Sequence, residues 1–212
     1  MTDKIKVLLV DDHAVVRAGF RLLLASDENI AVVAEAERAE QALTMYAEFK
    51  PDIVITDLSM PGIGGLECIR RLKQRDPDAK ILVFSIHDEA VYVERAMNAG
   101  AMGYITKNSA ADIMLEAIYQ IAEGKSYIET GLMTEHSSTL KVMTPQAILA
   151  GLSAREFDIF CLLAKGLTAH EISEQLCLSY KTIANYSTQI KSKFNVSSVV
   201  ELAHIAIALG LD

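Results

Sequence analysis

"VLLVDDH", residues 7–13, places four apolar residues directly before two adjacent carboxylates, Asp11 and Asp12. A short aliphatic run of this kind reads as a strand buried on both faces. Neighbouring carboxylates repel, and each loses solvation beside a core, so a buried strand that ends in an acid pair calls for a cation. Similar apolar runs recur at 30–36, 52–57, 80–86 and 102–106 after the first at 5–10. Amphipathic stretches follow each of them, at 14–25, 39–48, 65–75, 88–98 and 110–123. This alternation predicts an α/β domain over residues 1–124, a five-stranded, doubly wound parallel sheet with helices on both faces. Pro51, "MPGIGG" (60–65), Pro77 and Gly100 supply the turns.

In such a sheet, ligands bind beyond the carboxyl ends of the strands. The strand ends deliver Asp11 and Asp12, then Asp57, Ser85 and Lys107. Three carboxylates suit a hard divalent cation, Mg2+, which would relieve their repulsion. Asp57 can then act as a nucleophile that accepts a phosphoryl group. Lys107 would neutralise the transferred oxygens and Ser85 would donate a hydrogen bond to one of them. Any single Asp here could be a helix cap; five suitable residues at matching strand ends are hard to assign to capping alone.

"LLVDDH", "DIVITDLSMPGIGGLE", "VFS" and "GYITK" resemble the receiver domain of two-component response regulators across about residues 4–124. The resemblance implies a flavodoxin-like fold and a sensor histidine kinase as partner. It implies Asp57 as phosphoacceptor, and Mg2+ held by Asp11, Asp12, Asp57 and the Ser59 carbonyl. It implies Ser85 and Lys107 as the groups that sense the phosphoryl oxygens, and Tyr104 as a switch aromatic. Ser59 and His87, each two residues past a key strand end, fall where receivers tune hydrolysis of the acyl phosphate.

From 125 to 150 the periodicity weakens, and this stretch is expected to be a linker that carries at most a short helix. Residues 151–212 lose the strand signal and predict an all-α domain of four short helices. Ser153 lies three residues before Glu156, a capping-box spacing, and Gly166 closes the first helix. In "SYKTIANYSTQIKSKF" an apolar seam of Ile183, Tyr186, Ile190 and Phe194 backs a face of Lys181, Ala184, Asn185, Thr188, Lys191 and Ser192 that carries no acid. Such a face can enter a major groove, Asn and Thr reaching bases and Lys reaching phosphates. Residues 151–208 resemble the LuxR-type helix-turn-helix of NarL/FixJ regulators, through "LSAREFDIF", "KGLTAHEIS", "LSYKTIANY" and "IKSKFNV". That resemblance implies double-stranded DNA as partner, contacted by Lys181, Thr182, Ala184, Asn185, Tyr186, Thr188 and Lys191, and a homodimer when phosphorylated. Ala184 and Thr188 stand where many relatives carry a basic residue. The tail "VELAHIAIALGLD" faintly resembles the GacA/UvrY group.

The 212 residues carry a net charge of −8, which argues against a protein that coats nucleic acid non-specifically. Between Glu174 and Glu201 no acid occurs, while Lys181, Lys191 and Lys193 do. Cys68, Cys161 and Cys177 match no metal-ligand spacing and are expected to be buried free thiols. No apolar run approaches the ~20 residues of a membrane helix, and "MTDKIKV" enters a strand at once, so a cytoplasmic protein without leader or membrane association is expected. The chain thus reads as a transcription regulator and not an enzyme. A haloacid-dehalogenase-type phosphatase also uses a strand-end Asp, but it wants a second Asp two residues on, where this chain has Ser59. A DNA-binding regulator independent of phosphorylation would not need the full acidic set.

Overall fold

The structure is a computed structural model that describes residues 4–109, 111–132 and 145–211. It divides into two compact units, residues 1–134 and 135–212. The first alternates strand and helix: β1 (Ile5–Val10), α1 (Ala14–Ala25), β2 (Ile30–Ala36), α2 (Ala39–Phe49), β3 (Ile53–Thr56), α3 (Gly65–Arg75), β4 (Ile81–Ser85), α4 (Ala90–Ala99), β5 (Gly103–Thr106), α5 (Ala111–Ala122) and β6 (Tyr127–Ile128). All neighbouring strands pair in parallel, in the order β2-β1-β3-β4-β5-β6. β3, β4 and β5 are buried at every residue, which is why they read as unbroken apolar runs. One side of the sheet packs Leu9, Ile55, Phe84 and Ile105 against Met114, Ile118 and Ile121 of α5 and Leu24 of α1. Chain order reverses direction across the sheet between β1 and β3, so the crevice at their carboxyl ends is the natural site.

The sheet has six strands, not five. Tyr127 and Ile128 pair with Gly103 and Tyr104 inside the stretch expected to be linker. Two residues are too few to show a period of two, so this strand leaves no sequence signal. Gly103 is needed at this junction: a Cβ there would lie 2.7 Å from the Tyr127 carbonyl oxygen. Residues 133–144 of the expected linker lie outside the described residues.

The second unit is helical: α6 (Pro145–Ala150), α7 (Ala154–Ala164), α8 (Ala169–Gln175), α9 (Tyr180–Phe194) and α10 (Val199–Ala208). Phe157, Phe160, Ile172, Ile183, Ile190 and Leu202 form its interior, with the rings of Phe160 and Phe194 stacked 5.0 Å apart. The Ser153–Glu156 capping box is present, and two more begin α8 (Thr168–Glu171) and α10 (Ser198–Glu201). The three cysteines are free, with Cys68 and Cys161 buried. Cys177 corrects the expectation: it is exposed, in the turn between α8 and α9 with φ +52°, where the chain leaves the apolar face.

Candidate functional site

The carboxyl ends of β1, β3 and β5 converge. Lys107, the first residue after β5, places its Nζ 2.6 Å from Asp11 Oδ2 and 2.7 Å from Asp57 Oδ2. One ammonium thus bridges two carboxylates delivered by two other strands. Asp57 is 2% exposed and Asp11 6%. The other Asp57 oxygen, Oδ1, accepts from the Leu58 N–H at 2.6 Å and the Ser59 N–H at 3.3 Å. Burial pushes the Asp57 carboxyl above its ordinary range, and Lys107 pulls it back only in part. Burial alone would lower Lys107, but its bonds to Asp11 and Asp57 leave the ammonium above its usual value. The close packing continues into α3: a Cβ on Gly65 would lie 2.1 Å from the Asp57 carbonyl oxygen, so only glycine fits.

Asp11, Asp12, His13 and Asp57 each offer a ligand atom within 4.8 Å of the others. Asp12 Oδ1 is shut off from solvent and accepts no hydrogen bond. It does lie 2.9 Å from His13 Nδ1, without the alignment a hydrogen bond requires. A buried carboxylate oxygen without a hydrogen bond, beside two further acids, fits a hard cation.

The expected sensing residues surround this centre. Ser85 is fully buried at the end of β4, and its Oγ accepts from the His87 N–H at 3.4 Å. Tyr104 is fully buried and donates its phenol to the His87 carbonyl at 2.8 Å; burial raises that phenol well above its usual range. Ser59 Oγ lies 2.9 Å from His87 Nε2, and the His87 ring stacks on Tyr92 at 4.0 Å. Ser59 and His87 are therefore one pair beside Asp57 rather than two separate neighbours. Sequence reasoning missed Arg17. Its guanidinium is buried, donates to the Asp11 carbonyl at 2.6 Å and pairs with Glu37 at 2.9 Å. In sequence it is an ordinary polar position on an amphipathic helix.

In the second unit, α9 presents Tyr180, Lys181, Asn185, Thr188 and Gln189 exposed, and Thr182, Ala184, Tyr186 and Lys191 half-buried. Ser179 caps the helix by accepting from the Thr182 N–H, and its hydroxyl also meets Thr182 Oγ1 at 2.8 Å. Thr188 Oγ1 donates to the Ala184 carbonyl at 3.0 Å. Two of the expected base-reading hydroxyls are thus already engaged within the helix. Tyr180, 61% exposed at the start of α9, is an added aromatic on that face.

Family models match both units: the response regulator receiver domain over residues 7–119, and the luxR family of bacterial regulatory proteins over residues 150–206. The chain belongs to the response regulators. It is 43% identical over 207 residues to the transcriptional activator protein ExaE of Pseudomonas putida, covering 97% of each chain. It is 40% identical to the response regulator GacA of Pseudomonas aeruginosa, covering 98% of this chain and 97% of that one. A solved structure of two RcsB dimers bound to two parallel DNAs shares the fold, with a TM-score of 0.63, 24% identity, and 97% of this chain and 99% of that chain covered. This response regulator therefore pairs a receiver with a LuxR-type DNA-binding module, in a family of transcription regulators. No described helix is long and apolar enough to cross a membrane.

Proposed function

We propose that a sensor histidine kinase phosphorylates this regulator on Asp57, and that the phosphorylated protein binds DNA as a homodimer through α9 to control transcription in the cytoplasm. The observation that carries the reading is the buried Asp57 carboxylate, held between the Leu58 and Ser59 N–H groups and the Lys107 ammonium. In the transfer, an Asp57 oxygen forms a bond to phosphorus as the P–N bond of a phosphoimidazole breaks. The imidazole nitrogen keeps the electron pair and takes a proton from solvent. The Leu58 and Ser59 N–H groups orient the carboxylate. Lys107 exchanges its bond to Asp57 Oδ2 for one to the phosphoryl oxygens. Asp11, Asp12, Asp57 and the Ser59 carbonyl would hold Mg2+, which would supply neutralising charge for those oxygens. Ser85 donates to one of them, and Tyr104, whose buried phenol donates to the His87 carbonyl, is the switch aromatic that senses the change.

On α9, Lys181 and Lys191 contact phosphates, and Asn185 reads base edges with Ala184 and Thr188 beside it. Tyr186 and Thr182 set the helix on its seam and cap. The dimer is drawn from α10, where Leu202 and Ala206 are buried while Val200 and Ile207 are each 64% exposed. The exposed pair remains for a partner copy. The test is radiolabelled transfer from acetyl phosphate or a histidine kinase. Wild type should label in Mg2+ and not in EDTA, and Asp57→Asn should not label. Equal labelling of Asp57→Asn overturns the assignment.

A further inference from the structure

We infer that Glu129 is a positioning residue that ties the Lys107 loop to the chain leading toward the DNA-binding module, an inference that rests on the sensing roles proposed for Lys107 and Tyr104. β6 continues the ladder of β5: the Tyr127 N–H donates to the Met102 carbonyl and the Glu129 N–H to the Tyr104 carbonyl, both at 3.0 Å. In a parallel ladder the following rung would join the Thr106 N–H to the Glu129 carbonyl. That carbonyl is engaged elsewhere, accepting from the Leu132 N–H at 3.2 Å as the chain turns off the sheet. The Glu129 side chain takes its place. Its Oε2 accepts from the Thr106 N–H at 2.8 Å and from the Ser109 hydroxyl at 2.6 Å, while Thr106 Oγ1 and Ser109 Oγ lie 3.0 Å apart.

Thr106 is the residue before Lys107, and Ser109 lies two after it. The turn that carries Lys107 is thus gripped on both sides. On the β4 side the Lys107 N–H donates to the Ser85 carbonyl at 2.7 Å; on the β6 side stands Glu129. A half-buried carboxylate held by a main-chain N–H and a hydroxyl is a costly way to close a turn that a Ser or Asn could close. What it gains is two charge-assisted bonds, stronger and more directional than neutral ones. Through its N–H, Glu129 also holds the backbone of Tyr104. Any displacement of Lys107 or Tyr104 on phosphorylation therefore pulls on residues 129–132, which lead to the second unit.

The test uses the full chain and compares DNA affinity with and without acetyl phosphate. The wild type should gain roughly 5–150-fold on phosphorylation, the usual range of allosteric coupling. Glu129→Ala should label at Asp57 to the same stoichiometry and lose most of that gain, while Glu129→Gln, which keeps an oxygen acceptor but not its charge, should retain an intermediate part of it. A merely structural Glu129 would lower the melting temperature of Glu129→Ala but leave the ratio of the two affinities unchanged, and that result overturns the inference. If Glu129→Ala does not fold, Ser109→Ala, which removes one of the two donors, must reduce the gain; an unchanged gain overturns it equally. A wild type that labels but gains no affinity overturns both the coupling and the function proposed above, whereas a wild-type gain shared by Glu129→Ala overturns the coupling alone.

Discussion

As the proposed phosphoacceptor, Asp57 carries two opposed demands: it must be ionised to attack phosphorus, and it sits where ionisation is disfavoured. Burial raises its folded-state pKa above the unfolded value. By linkage, the associated stability is full below the unfolded pKa and is lost as pH rises through the folded one. Near neutral pH the buried charge is therefore a net cost, and Asp57→Asn should raise the thermal midpoint at pH 7 while abolishing labelling. The increment should shrink as pH falls through the carboxylate range; thermal melts at pH 7 and pH 4 check both. Lys107→Ala acts oppositely, leaving two facing carboxylates without their ammonium. Breaking a buried ion pair by removing one partner costs about 3–5 kcal/mol, which denaturant titration would measure. The five strand-end residues were legible because each closes an apolar run. Arg17 was not, since its contact with the Asp11 carbonyl depends on how α1 crosses the end of β1.

Among the elements, legibility followed length and capping. The helices of the first unit carried a period in the sequence, and their observed ends differ from the expected ones by a residue or two; in the second unit α8 stops at Gln175, short of the apolar positions that follow it. β6 carried no period, and its place depends on a pairing partner 24 residues upstream. Caps give a direct test: Ser153→Ala removes the hydroxyl half of the box at α7 and leaves the backbone N–H bond to Glu156, and should cost about 1 kcal/mol, read from the denaturation midpoint. At the start of α3, Gly65→Ala should impair folding and labelling together, because the added Cβ meets backbone rather than a side chain that can move. On α9 the readouts separate. Lys181→Ala or Lys191→Ala should weaken binding at all sequences and lower the salt slope by about 1 each. Asn185→Ala should cost about 1–3 kcal/mol at its own base position and leave others unchanged. A uniform loss for Asn185→Ala would place that side chain on phosphate instead.

Over the whole molecule, charge and symmetry act together. A chain with a net charge of −8 gains little from general attraction to DNA, and one recognition helix reads only a few base pairs, so under the proposed dimeric binding paired half-sites would supply the missing affinity. Phosphorylated protein should protect two half-sites spaced by about one helical turn. Ile207→Glu, placed on the exposed side of α10, should reduce protection to single half-sites without altering labelling at Asp57. Cooperative protection by that variant would move the dimer contact off α10. The cysteines bear on how such experiments are run. Cys68 is sealed in the sheet unit, its thiol pushed up to about 12 by burial, and Cys161 is buried within α7. Cys177 stands open in the turn immediately before α9. A maleimide fluorophore should therefore attach once per native chain with no engineered residue, and its anisotropy and quenching would report in real time when the helix engages a duplex. Uptake of a second dye would register loss of the native fold in the same cuvette.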